Sequence, residues 1–187
     1  NFNWNSNSSA TANSTSGPVA SGVWSGIVVV AGSANVGTVS GNTIGSGTGT
    51  GSVLVTVGTN SGATVNGIGF IGSGIVNISN NSIGSITTNG VTAAVSTGIN
   101  GILASGIGTV TISGNTIGST NTANSLNASL AGTGATAQSV NGILVSAGAN
   151  TTVSNNTVAN LNNNYIFTGA GVTRGIAITT STVSSIT

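Results

Sequence analysis

The 187-residue chain has a formal charge of +1, carried by Arg174 alone, and contains no Asp, Glu, Lys, His, Cys or Met. This excludes disulfides, side-chain salt bridges, ordinary general acid–base chemistry and the usual metal sites, which draw on carboxylate, imidazole or thiol ligands. Its 83 Asn, Ser and Thr residues, 31 Gly, and 21 Val and 18 Ile against 6 Leu predict an all-β chain forming one domain, because β-branched side chains suit a pleated surface.

In chain order, residues 1–21 read as a partial N-terminal repeat, with any disorder concentrated in the polar stretch 5–16. Four full repeats follow over 22–174, and residues 175–187 form a partial C-terminal repeat. Each repeat opens on a Gly-Ile string: SGIVV (25–29), NGIGF (66–70), NGILA (100–104), NGILV (141–145) and RGIAI (174–178). A second string follows: VGTVSGNTIGS (36–46), VNISNNSIGSI (76–86), VTISGNTIGST (110–120) and TTVSNNTVANL (151–161). Here apolar and polar residues alternate, a Gly/Asn pair turns the chain, and one more aliphatic residue resumes the inward face. A third apolar string is expected at 52–57, 91–95, 126–130 and 165–167, giving three or four short strands per repeat. Residues 45–51 read as a flexible Gly-rich insertion, without the Lys or the strand-to-helix setting of a phosphate loop.

Successive Gly-Ile strings lie 41, 34, 41 and 33 residues apart. A part of fixed length thus alternates with one of variable length, as in a solenoid whose packed strands are constant and whose loops vary. The predicted inward positions are Ile27, Ile68, Ile102, Ile143 and Ile176, then Val39, Ile78, Ile112 and Val153, then Ile44, Ile83, Ile117 and Val158. Asn42, Asn81, Asn115 and Asn156 are expected to stack as an amide ladder at a strand spacing of about 4.8 Å.

The repeated GIxx…VTISxNTI pattern over residues 22–187 resembles the parallel β-helix repeat of pectate-lyase-like proteins, in the Gly/Ser/Thr/Asn-rich form found in secreted bacterial surface proteins. That resemblance implies a right-handed parallel β-solenoid of about five repeats of 33–41 residues, located outside the cell. Enzymes of that family cut polysaccharide with acidic and basic residues, and no acidic position exists here, so the resemblance implies the fold without the activity. Two arrangements fit the repeat length: one enlarged rung per repeat, which is preferred, or two small rungs.

Without charge or an obvious polar cap, the ends of such a stack are expected to associate. Counting from Gly175 through Thr187 and on from Asn1 to Gly26 gives 38 residues, within the internal range. A second copy can therefore continue the first in phase, with Phe2, Trp4, Val183 and Ile186 as candidate assembly ends; equally, the chain can be a piece of a longer β-helix.

The expected role is thus a non-catalytic extracellular filament subunit or stalk segment whose partner is itself or flanking repeats. No cofactor, metal, nucleic acid or membrane span is expected. The alternative is a β-helical adhesin module that binds glycan or a host surface, with Trp24 and Tyr165 stacking on sugar rings; the plainer reading is that these aromatics fill rung ends or loop pockets. Arg174, at the position held by Asn66, Asn100 and Asn141, reads as a solvated substitution rather than an anion site. The TxT pairs at Thr48/Thr50 and Thr109/Thr111 do not recur in one place, as an ice-binding face requires.

Overall fold

The computed structural model describes residues 7–10, 24–57, 63–90, 97–129, 138–146, 150–166, 171–179 and 183–187. Among them every regular element is a strand. After β1 (Asn7–Ala10), a first circuit comprises β2 (Trp24–Val29), β3 (Ala34–Val36), β4 (Thr43–Gly45) and β5 (Val53–Val57). A second holds β6 (Ala63–Phe70), β7 (Ser73–Ser79), β8 (Ser82–Gly84) and β9 (Ile86–Gly90). A third holds β10 (Thr97–Ala104), β11 (Ile107–Ser113), β12 (Thr116–Ile117) and β13 (Leu126–Ala128). The fourth holds β14 (Gln138–Val145), β15 (Asn150–Ser154), β16 (Thr157–Val158) and β17 (Leu161–Asn163), and β18 (Gly171–Ile178) and β19 (Val183–Ile186) begin another.

Corresponding strands of successive circuits pair in parallel, giving four sheets. Sheet I contains β2, β6, β10, β14 and β18; sheet II contains β3, β7, β11, β15 and β19. Sheet III contains β4, β8, β12 and β16; sheet IV contains β1, β5, β9, β13 and β17. The arrangement is compatible with a parallel β-solenoid. The Gly-Ile strands are direct neighbours: Ile27 pairs with Ile68, Ile68 with Ile102, Ile102 with Ile143 and Ile143 with Ile176. Each circuit therefore contributes one strand to each sheet it visits, not two layers.

One buried cluster joins all four sheets. Ile68, Ile102 and Ile143 of sheet I, Ile78, Ile112 and Val153 of sheet II, and Ile44, Ile83 and Ile117 of sheet III are all buried. Ile27 and Val158 are partly buried against the cluster. Ile176 holds the same register in the end strand but stays 37% exposed.

Glycine shapes this core. A Cβ on Gly26, Gly67, Gly101 or Gly142 would lie no farther than 2.8 Å from a side-chain carbon of Ile44, Ile83, Ile117 or Val158 respectively. The aliphatic residue of sheet III therefore occupies the space that a side chain on sheet I would need, which is why Gly recurs beside Ile in each copy.

Four expectations change. Val39 is not a core position: it is 99% exposed, and Val36 takes the inward place, paired with Ile78. Relative to the later circuits, the first has one residue fewer between its glycine and Val36 and three more between Val36 and Asn42. The surplus turns outward after Gly37, whose φ of 82° places the chain beside the Asn81 amide. Second, sheet IV receives Leu161–Asn163 in the fourth circuit, and residues 165–166 are not strand. In the second circuit it receives Ile86–Gly90, whereas the expected string at 91–95 lies outside the described residues. Third, the insertion after β4 is tethered: Ser119 Oγ donates to the Gly47 carbonyl at 2.7 Å and Thr122 Oγ1 to that of Thr48 at 3.2 Å. Last, residues 7–10 of the polar stretch 5–16 form a strand, β1, paired with β5, and the rest of that stretch lies outside the described residues.

Candidate functional site: amide ladders and free sheet edges

In the second, third and fourth circuits the turn from sheet II into sheet III passes through a left-handed residue, Asn80 (φ 61°), Gly114 (φ 64°) and Asn155 (φ 54°). Gly and Asn are the residues that enter this region at least cost. The turn aims the next residue along the stack, bringing Asn42, Asn81, Asn115 and Asn156 together in one column. The backbone N–H and Nδ2 of Asn115 both donate to Asn156 Oδ1, at 3.0 and 2.9 Å. Those of Asn81 donate to Asn115 Oδ1, both at 2.9 Å, and those of Asn42 to Asn81 Oδ1, at 3.1 and 2.8 Å. The Nδ2 groups of Asn81, Asn115 and Asn156 also reach the carbonyls of Val36, Ile78 and Ile112, at 3.0, 2.9 and 2.9 Å. The ladder thus gives the backbone N–H groups of Asn42, Asn81 and Asn115 acceptors at the turn.

A second ladder runs along sheet I with the opposite polarity. Asn141 Nδ2 donates to Asn100 Oδ1 and Asn100 Nδ2 to Asn66 Oδ1, both at 2.9 Å, and Asn66 Nδ2 reaches Ser25 Oγ at 3.4 Å. Its signal in the sequence is the Asn that opens three of the Gly-Ile strings, a column not among those expected to form a ladder. A third column, Ser52–Ser85–Ser125, was missed. Ser52 N–H and Ser85 Oγ–H bridge the first two residues at 2.9 and 2.8 Å, and Ser85 N–H donates to Ser125 Oγ at 3.1 Å. These bonds hold Ser85 at a φ of 57°.

Arg174 is exposed and stands in register with Asn141, where an amide would continue the second ladder. The Asn141 Oδ1 is buried and has no hydrogen-bond partner.

Trp24 lies in the inward column above Val65 and packs against the core. Tyr165 follows β17, with its ring beside Gly171 at the start of β18. Four strand spacings, about 19 Å, separate the sheet I strands next to these aromatics, so the fold does not bring them into one patch. Phe2 and Trp4 lie outside the described residues. Val183 pairs with Asn150, and Ile186 pairs with Val153 and is 58% exposed.

Edges complete the picture. Among the described residues β17, β18 and β19 bound one end of sheets IV, I and II, and β1, β2 and β3 bound the other. These strands have a parallel neighbour on one side only. Among the described residues the arrangement offers backbone, amide and hydroxyl hydrogen bonding together with apolar stacking.

No family model, curated protein or solved structure matches the chain. The geometry alone defines its class: an all-β protein of stacked parallel sheets, internally laddered by amide and hydroxyl side chains.

Proposed function

We propose that the chain is a non-catalytic extracellular structural protein, a right-handed β-solenoid that serves as a filament subunit or a surface-fibre segment. Coils associate head to tail by in-phase stacking, with a second copy or with flanking repeats of a longer chain. The observation that carries this reading is that the interface between circuits repeats in one register throughout and ends on edges of the same kind. Ile176 and Ile186 at those edges are 37% and 58% exposed although their counterparts Ile143 and Val153 are buried. Edge strands are ordinarily guarded by Lys, Pro or inward charge, and the sequence has one Pro, no Lys and one Arg. Handedness and the extracellular setting rest on the resemblance to Gly/Ser/Thr/Asn-rich surface β-helices.

A glycan-binding role has weaker support, because Trp24 packs against the core and lies far along the stack from Tyr165. Negative-stain microscopy of the pure protein at neutral pH tests the proposal. Fibres of uniform width, lengthening with concentration, are expected; monodisperse short rods at high concentration overturn it. The intact mass of native material then separates a 17.6 kDa subunit from a segment of a longer chain.

A further inference from the structure

Between circuits, the glycine column of sheet I leaves no room for a Cβ on its stacking side. A Cβ on Gly26 would lie 2.8 Å from the Gly67 carbonyl oxygen, one on Gly67 2.6 Å from that of Gly101, one on Gly101 2.6 Å from that of Gly142, and one on Gly142 2.5 Å from that of Gly175. Real Cβ atoms do not approach backbone so closely. At Gly175 the position is open, with nothing within 4 Å. Gly175 therefore meets no requirement for glycine inside the single chain, yet it keeps the residue type that stacking imposes on the four before it.

We propose that the free edge of β18 receives the outer edge of β2 from a second copy, in the register used between internal circuits, with Gly26 of that copy over Gly175. This deepens the filament reading and rests on it. Carrying the internal register one step further places Ile27 of the second copy on Ile176, Val29 on Ile178, and, on the neighbouring sheet, Val36 on Ile186. Each column then continues aliphatic on aliphatic. Ser25 of the second copy falls on Arg174, so the one cation meets a hydroxyl rather than another cation. β1 and β3 of the second copy meet β17 and β19 in the same step, since these strands end sheets IV and II. Among the described residues sheet III has four strands against five in the others and supplies no strand at the junction.

The test is Gly175→Ala, compared with wild type by circular-dichroism melting, sedimentation velocity and microscopy. The expected result is an unchanged melt with loss of fibres, because the added methyl meets only the carbonyl of an incoming Gly26. Mixed in small proportion into wild type, the variant is expected to shorten fibres, since its β2 edge still docks while its β18 edge accepts nothing. Thr173→Lys, an exposed position in the same edge strand, is the second variant. It places a charge where Trp24 of the incoming copy would sit and is expected to abolish fibres in the same way. Folded variants that form fibres of wild-type length overturn this junction and leave the filament reading standing. Wild type that never assembles overturns both.

Discussion

At the residue scale, the second amide ladder is one residue short. Asn66, Asn100 and Asn141 each pass an Nδ2 hydrogen bond to the neighbour before them, and the remaining carbonyl oxygen, Asn141 Oδ1, is buried without a partner. A buried acceptor left open costs about 1–3 kcal/mol. The residue in register on the next strand is Arg174, whose long side chain is exposed. Arg174→Asn restores an Nδ2 donor at the spacing the ladder already uses. It is predicted to raise stability by about 1 kcal/mol, the net worth of one added hydrogen bond, read as a higher urea midpoint at an unchanged slope. Arg174→Ala removes the charge without supplying a donor and is expected to gain nothing. If the two variants have equal midpoints, the ladder contributes nothing at this position.

At the scale of elements, the glycines of sheet I and the aliphatic residues of sheet III form one packing unit. A methyl on Gly101 would overlap the Ile117 side chain and the Gly142 carbonyl. Gly101→Ala is therefore predicted to cost about 2–3 kcal/mol, the upper range for overpacking, and Ile117→Ala about 2–5 kcal/mol as a cavity. Together they should cost about 1–2 kcal/mol less than the sum, because the new methyl enters part of the vacated space; strict additivity in urea titrations would show that the backbone carbonyl alone sets the cost. The same unit explains what was legible in the sequence. Strands of sheets I and II announce themselves by Gly-Ile and by alternation such as Val110 and Ile112, and the Asn column by its fixed distance from the glycine. Two strands of sheet IV, Val53–Val57 and Leu126–Ala128, fall on expected apolar strings, but those of the second and fourth circuits do not announce themselves. Ile86–Gly90 has one aliphatic side chain, and its Thr88 is buried through a bond from Thr97 Oγ1 at 2.9 Å. Leu161–Asn163 likewise has only Leu161. Such strands are held by neighbours rather than by their own pattern, so an apolar string nearby was the stronger and misleading cue. Val39 misled for a related reason: it alternates with Thr38 and Ser40 as an inward residue would, but the pairing of Val36 with Ile78 fixes the register three residues earlier.

At the scale of the whole molecule, the near absence of charge follows from parallel in-register stacking. Each outward side chain faces its counterparts about 4.8 Å above and below, so a charge repeated in a column would face its own image. Asn77, Thr111 and Thr152 form such a column on the outer face of sheet II. Two like charges near 4 Å repel by about 1 kcal/mol even in water. The triple variant Asn77→Asp/Thr111→Asp/Thr152→Asp is therefore predicted to lose about 2 kcal/mol beyond the sum of its three single variants at low ionic strength, with two repelling neighbour pairs in the column. That excess should shrink in high salt, because the column is solvent-facing and screened. Replacing the middle charge, as Asn77→Asp/Thr111→Lys/Thr152→Asp, should remove it at every salt concentration. Val39→Asp is the control: Val39 is 99% exposed on a turn outside the strand columns, and a carboxylate there has no image to meet. A triple variant that is additive and indifferent to salt would mean that the uncharged composition has a cause other than the stack.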